Sequence, residues 1–291
     1  GKGGMMNQLL PLFPPAAMYV EPFFGGGSVF FAIPPGRYRA MVVNDINREV
    51  VTFFRVLRDR PKELERVLRL TPHSADEYAT AYNPPVDDLD VARRFWMKTR
   101  QSFGGIAKQG NGWARSTPDS PVPERSASVI ERLEEYAYRL SRVIEIENRD
   151  AIQVIDSYAK PDAFVYCDPP YVLSSRVDED VYAHEMDDNH HRRFAAACNR
   201  AREVGAMVAI SGYPNPLYDD ELFAGWYRTT FEVALRVAPA EARKGVTRTG
   251  ALWTSYDPAK LSAIRAPAPK AMSATEKKLL GAAAGRRIST R

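Results

Sequence analysis

Apolar residues fall in short runs bounded by turn-forming residues over the first sixty positions and again beyond about residue 160, while the stretch between is patterned at a helical period. Met18 to Val20 reads as a strand leading into Glu21-Pro22-Phe23-Phe24-Gly25-Gly26-Gly27-Ser28, and Val29 to Ile33 as the helix after that turn. Tyr38 to Val43 reads as a second strand, closed by Asn44-Asp45-Ile46-Asn47. Val50, Phe53, Phe54 and Leu57 then share one face of a helix. From Arg58 to Arg149 the texture changes: helical patterns over Lys62 to Leu70, Ala92 to Thr99 and Val129 to Leu140 surround a glycine-rich stretch, Gly104 to Gly112. Strand and helix alternate again with Ala163 to Cys167, a helix from about His190 to Glu203, and Met207 to Ile210. Phe231 to Val237 and Ala251 to Tyr256 would close the sheet as a terminal antiparallel hairpin.

The order predicts an α/β protein with a doubly wound, Rossmann-like sheet interrupted by an inserted, mostly helical segment. The expected domains are residues 1–57 with 150–262 for the sheet, 58–149 for the insertion, and 263–291 for a basic tail outside the fold. With 45% hydrophobic and 26% charged residues in 291, the chain should form a sizeable core, which excludes a wholly disordered or collagen-like polymer. No apolar run approaches the ~18 residues of a membrane span, and the first residues lack the apolar stretch of a secretory signal. A cytoplasmic location in a bacterial or phage-infected cell is therefore expected. Two cysteines and four histidines show neither a disulfide framework nor a metal-ligand spacing, so no metal is expected.

The net charge of +4 is misleading as a whole. Residues 265–291 hold seven Lys or Arg against Glu276, a net of +6, which leaves the body at −2. Any affinity of the body for nucleic acid has to come from local charge.

Two constellations carry candidate chemistry. In the first, glycines after the opening strand let a ligand approach the backbone, and Asp45, twenty residues past Gly25, suits a pair of ribose hydroxyls. The third glycine of a dinucleotide fingerprint is replaced by Phe30, which argues against a pyrophosphate. Glu21 would repel phosphate but suits a cationic or hydroxyl-rich ligand such as S-adenosylmethionine (AdoMet). A tight turn with no ligand is the plainer alternative.

In the second, the apolar run Phe164 to Cys167 ends in Asp168-Pro169-Pro170-Tyr171. The prolines keep the turn extended and leave its carbonyls outside any helix ladder. An exocyclic amine on an aromatic base is a poor nucleophile because its lone pair is delocalised into the ring. The Asp168 carboxylate and Pro169 carbonyl can each accept one of its N–H groups, while Tyr171 offers a face for stacking. The plainer alternative is a Pro-Pro turn that caps a buried strand.

In the order and spacing of these motifs the chain resembles the Dam-like, D12 class of AdoMet-dependent DNA adenine-N6 methyltransferases, over roughly residues 1 to 258. That family opens with a Gly-Gly-Lys segment, followed by Glu-Pro-Phe-x-Gly-x-Gly-Ser, Asp-x-Asn and, after an inserted target-recognition domain, Asp-Pro-Pro-Tyr. Gly1-Lys2, Glu21 to Ser28, Asp45 to Asn47 and Asp168 to Tyr171 stand in that order here. The resemblance implies Lys2 near the AdoMet carboxylate, Asp45 at the ribose, Asp168 at both the methionine end and the target amine, and Glu21, Phe23, Gly25 and Gly27 lining the same pocket. It also implies a natural start ahead of Gly1, since the family carries an aromatic residue and another glycine before its Gly-Lys pair. Where relatives often carry a Ser-Asn-His-like turn, this chain reads Ser211-Gly212-Tyr213-Pro214, and Tyr213 receives no role.

Between Arg93 and Arg115 there are six basic and no acidic residues, interleaved with Phe95, Trp96, Phe103 and Trp113. Arg94, Lys98, Arg100, Lys108, Gln109, Asn111 and Arg115 are the expected contacts to double-stranded DNA, with Lys244 in a second basic turn. The same residues also fit an amphipathic helix with a solvated basic face. Since a paired adenine hides its amine in the stack, the chemistry would require base flipping. The rival expectations are methylation of cytosine N4 or of an RNA base, and a non-catalytic DNA-binding relative.

Overall fold

The computed structural model describes residues 5–102, 112–117, 121–172, 185–234 and 247–263. In chain order these form α1 (Met6–Leu9), β1 (Met18–Glu21), α2 (Ser28–Ala32) and β2 (Ala40–Asn44). Six helices follow: α3 (Arg48–Asp59), α4 (Pro61–Leu70), α5 (Ala75–Ala79), α6 (Asp88–Arg100), α7 (Val122–Ile130) and α8 (Leu133–Leu140). Then come β3 (Glu145–Glu147), α9 (Ala151–Tyr158), β4 (Ala163–Cys167), α10 (Asp188–Glu203), β5 (Met207–Gly212), β6 (Tyr227–Ala234) and β7 (Thr247–Thr254). Of the described residues, those within 5–47 and 144–263 make one compact unit and those within 48–143 the other.

The first unit is a seven-stranded sheet in the order β3-β2-β1-β4-β5-β7-β6. β1 pairs in parallel with both β2 and β4, so the sheet reverses its winding between β1 and β4. That reversal opens a crevice beyond the strands' carboxyl ends. β7 runs antiparallel between β5 and β6, which gives the expected Rossmann-like methyltransferase sheet with its terminal hairpin.

Every residue of β4 is buried, as a central parallel strand covered on both faces must be. Period-two alternation sorts its side chains. Val20, Val165 and Cys167 belong to the core that includes Val154 of α9 and Phe194, Ala197 and Cys198 of α10. Tyr19 and Phe164 instead join Phe13 and Tyr38 in an aromatic cluster with ring centroids 4.9–6.2 Å apart. α9 and α10 start on Asp150 and Asp187, whose carboxylates accept from the backbone N–H groups of Ile152 and His190 at 2.8 and 2.7 Å.

The second unit is helical. The stripe on α3 is present, but it packs against α6: the Phe53 ring lies 5.5 Å from Phe95 and 6.3 Å from Trp96. The division between the units accordingly falls at Asn47 and not at residue 57, because an apolar stripe does not say which partner covers it. The helix expected over Val129 to Leu140 is two helices, broken at Glu131 and Arg132. β3 went unanticipated, since three residues reading Glu-Ile-Glu carry almost no period. Among the described residues no helix is long and apolar enough to cross a membrane.

Candidate active site

Four parallel strands end side by side in polar residues, and hydrogen bonds tie the ends together. β1 ends on Glu21, 2% exposed, whose Oε2 accepts from the Tyr19 hydroxyl at 2.8 Å. Burial first, then the Glu21 charge, pushes Tyr19 well above the usual tyrosine range, so the phenol keeps its proton. The chain then turns through Gly25 and Gly27, both at positive φ (50° and 66°). A Cβ at Gly27 would stand 2.8 Å from the Phe31 ring and 2.9 Å from that of Phe24, whereas one at Gly25 would meet nothing within 4 Å. The first glycine thus borders open space and the second is held by packing.

Asp45 joins this turn to the end of β2. Its Oδ2 accepts from the Gly25 N–H at 2.7 Å and its Oδ1 from the Asn47 N–H at 2.8 Å. Beneath it the fully buried Asn44 links three strand ends: its Nδ2 donates to the Pro22 carbonyl (2.8 Å) and the Arg149 carbonyl (3.1 Å), and its Oδ1 accepts from the Arg149 N–H (2.9 Å). A cavity of about 180 Å³ opens over these ends, lined by Phe23, Asp45, Ile46, Asp150, Ile152 and Pro170 among others. Pro22 and Phe23, which lead into the glycine turn, and Pro170 of the Asp-Pro-Pro turn therefore border one cleft, whereas the glycines, Asp168 and Pro169 are not among its lining residues.

On the far side of the reversal, Asp168 is half-buried directly after β4. Its Oδ1 accepts from the Ser211 hydroxyl at 3.1 Å; Ser211 is itself 2.9 Å from the Tyr166 hydroxyl and 3.3 Å from the Cys167 carbonyl. Burial, reinforced by the Asp168 charge, drives Tyr166 well above its ordinary range, so its proton is available to Ser211. Tyr166 donating to Ser211 frees the serine proton for Asp168, which fixes the carboxylate. Pro169 is buried, and the Tyr171 ring meets Tyr213 edge to face at 4.7 Å.

Of the expected site residues, the structure brings together Glu21, Phe23, Gly25, Gly27, Asp45, Asp168, Pro169 and Tyr171 around the strand ends. Sequence reasoning missed Asn44, Ile46, Asp150, Ile152, Tyr166 and Ser211. A usable signal for Asp150 was its place directly before the apolar positions of α9, as a helix-capping Asp. Lys2, Lys108, Gln109, Asn111 and Lys244 lie outside the described residues.

In the helical unit the basic residues diverge. Arg94 donates from Nε to Asp90 at 2.7 Å and also bonds the Thr80 carbonyl; its side chain is 12% exposed. Lys98, 11% exposed, pairs with Glu49 at 2.6 Å and lies 5.4 Å from the Tyr82 ring centroid. Both hold helices together within this unit. Arg100 lies over Trp96 at 4.9 Å, and Arg115 is exposed.

The chain thus joins a doubly wound sheet to a glycine turn after β1, a carboxylate after β2 and an Asp-Pro-Pro-Tyr turn after β4. The chain belongs to the D12 class N6 adenine-specific DNA methyltransferase family, whose pattern matches residues 1–239. It is 27% identical over 274 residues to the DNA N-6-adenine-methyltransferase of Escherichia phage P1, covering 86% of this chain but only 32% of that protein, so the chain spans about a third of that relative's length. It is 25% identical to the Type II methyltransferase M1.LlaDCHI of Lactococcus lactis subsp. cremoris, over 69% of this chain and 74% of the relative. It is 26% identical to a DNA adenine methylase of Vibrio cholerae serotype O1, over 73% and 78% respectively.

Proposed function

We propose that this chain methylates N6 of adenine in double-stranded DNA, with AdoMet as the methyl donor and the target base flipped out of the duplex. The observation that carries the proposal is the shared cleft: Pro170 of the Asp-Pro-Pro turn lines the same cavity as Phe23 and Asp45 of the glycine-turn side.

The residues around that cavity fit AdoMet. Gly25 leaves open space beside the turn, Asp45 offers carboxylate oxygens for ribose hydroxyls, and Ile46 and Ile152 give apolar walls beside the acidic Asp150. Glu21, Phe23 and Gly27 complete the wall, and Lys2 is the proposed partner of the cofactor's carboxylate. When bound, AdoMet supplies an electrophilic methyl carbon on a sulfonium.

Asp168 and the Pro169 carbonyl accept the two N6 hydrogens, which pulls the amine toward tetrahedral geometry and returns its lone pair to nitrogen. A methyl group supplied by bound AdoMet would be taken up by that lone pair, the cofactor sulfur keeping the C–S electron pair, and the surplus N6 proton would pass to solvent. Ser211 keeps the Asp168 carboxylate in one orientation throughout. Tyr171 stacks on the flipped base, worth ~1–3 kcal/mol by alanine substitution at comparable contacts. Flipping costs a few kcal/mol, offset by that stacking and by the helical unit acting as the target-recognition element, with Arg100, Lys108, Gln109, Asn111, Arg115 and Lys244 as DNA contacts.

The test is incubation with methyl-labelled AdoMet and duplex DNA, followed by nucleoside digestion and mass analysis. N6-methyladenine from the wild type and none from Asp168→Ala is the expected result. Label on cytosine, label only in RNA, or no label despite binding of both ligands overturns the proposal in favour of the corresponding rival.

A further inference from the structure

The helical unit holds a second cavity, of about 250 Å³, between α4, α6 and α7. Its lining includes Leu68, Ile130 and Trp96 as apolar wall, Arg69 at an exposed edge, and the polar side chains of Thr71, His73, Gln101 and Ser126. Gln101 is 5% exposed; its Nε2 donates to the Pro72 carbonyl at 3.0 Å, but its Oε1 has no hydrogen-bond partner. Both ring nitrogens of His73 are buried and neither makes a well-formed hydrogen bond; the ring only leans on the Ala114 backbone. Directly behind lie Ser102 and Trp113, whose Oγ and Nε1 are likewise buried and unpartnered. The group is tightly knit: His73 stacks on Trp113 at 4.9 Å, Ser102 bridges to Trp113 as a strand pair, and the Ala114 N–H donates to the Gln101 carbonyl at 2.8 Å.

Among the described residues, five buried atoms on four adjoining side chains thus lack a well-formed partner, which destabilises the fold if they stay so. Folded proteins keep such groups where a ligand or ordered water completes them. The chemistry of the lining narrows the ligand. Gln101 Oε1 only accepts, so the guest must present an N–H; a neutral His73 offers one donor and one acceptor, so the guest's edge must carry both kinds of group. Burial holds His73 below its ordinary value, against the raising influence of the Ala114 backbone, which favours that neutral form. Cavities of about 150 Å³ accept benzene, so this one has room for a larger flat ring. Arg69 at the edge is paired with Glu65 at 2.8 Å, so the lining selects through Gln101 and His73 and not through charge.

We propose that this cavity is a second base pocket, which takes one nucleobase from the bound DNA other than the adenine to be methylated, through Gln101 and His73. The proposal rests on the reading of the helical unit as the DNA-engaging element. It gives the unit a way to discriminate sequence by hydrogen bonds to a displaced base, in addition to contacts within a groove.

The experiment uses the full chain and a duplex bearing its methylation sequence, as located by sequencing of methylated DNA. Fluorescent analogues, 2-aminopurine for purines and pyrrolocytosine for pyrimidines, are placed one position at a time through both strands. Two positions should brighten on binding: the target adenine and one other. His73→Phe, which keeps the stack on Trp113, and Gln101→Met should each abolish the second brightening and leave the first. DNA affinity should fall about tenfold while AdoMet binding stays unchanged, and a cooperative melting transition checks that each variant is folded. Brightening at the target alone overturns the second pocket while leaving the methyltransferase reading intact, as does a second brightening that survives both substitutions. No brightening anywhere overturns both.

Discussion

At the ends of β1, β2 and β4 the buried polar side chains are paired within the folded chain, though Arg149 Nε beyond β3 is not, whereas beside α4, α6 and α7 several polar atoms have no well-formed partner among the described residues. Asn44, Tyr19 with Glu21, and Tyr166 with Ser211 and Asp168 are each paired in the folded chain. His73, Gln101, Ser102 and Trp113 expose orphan atoms to a cavity or to its back wall. The difference separates two ways to build a site. Reaction chemistry needs dipoles that are already in place when charge develops, so the strand ends are wired internally. Recognition can leave groups incomplete, because a wrong partner then fails to satisfy them.

The largest effect should come from the wired end. In Asp168→Ala the amine loses its charged acceptor, and turnover should fall by at least about 10²–10³-fold, the range seen when one group that stabilises developing charge is removed. AdoMet and DNA binding, measured by calorimetry and gel shift, should stay within a few-fold. Turnover within tenfold of wild type would remove Asp168 from the reaction. Ser211→Ala sharpens the point: Asp168 remains but is no longer held, so kcat should drop while KM for DNA is unchanged.

Next comes Asn44→Leu, which strips partners from two carbonyls and one N–H that meet beneath the cleft. Left buried and unpaired, such groups cost about 1–3 kcal/mol each, so the melting temperature should fall by several degrees at least. AdoMet affinity should fall with it. An unchanged melting curve would mean that the strand ends are fixed by the sheet alone.

How much of this was legible in the sequence follows from the same contrast. The glycine turn, Asp45 and the Asp168 turn were readable because each combines a strand ending with residue types that few folded chains need there. Asn44 and Ser211 were not, since a lone Asn or Ser on a strand looks the same whether it faces a neighbour's carbonyl or solvent. The stripe on α3 was visible too, but not that α6 covers it, because such a stripe fits a sheet or a helix equally well. Least legible was the fate of charge. The count from Arg93 to Arg115 found no acids, yet Arg93 and Arg94 meet Asp90 one turn earlier and Arg93 also reaches Glu77, while Lys98 finds Glu49, forty-nine residues away.

A smaller effect is expected at Gly27. Alanine there must hold φ of 66° at about 1–2 kcal/mol and push the Phe24 and Phe31 rings aside. Gly25→Ala carries a similar backbone cost but no clash. A differential scan should therefore rank Gly27→Ala below Gly25→Ala in stability, and AdoMet titration should show both weakened. The reverse order of melting temperatures would mean that the packing of α2 does not set this turn.

The smallest and most discriminating pair lies in the helical unit, and it separates cations that hold the protein together from cations that meet DNA. Lys98 is already neutralised by Glu49 at 2.6 Å and mostly covered, so it has little charge left to offer a phosphate. Lys98→Met should lower stability by about 1 kcal/mol, a modest value because Glu49 is 41% exposed and can rehydrate. The slope of log affinity against log salt should not change. Arg115 is exposed, so Arg115→Ala should leave the melting curve alone and make that slope shallower by about one, the signature of a lost phosphate contact. If Lys98→Met flattens the salt dependence and Arg115→Ala does not, the ion pair with Glu49 must open on DNA binding, and the cations of this helix belong to the DNA surface after all.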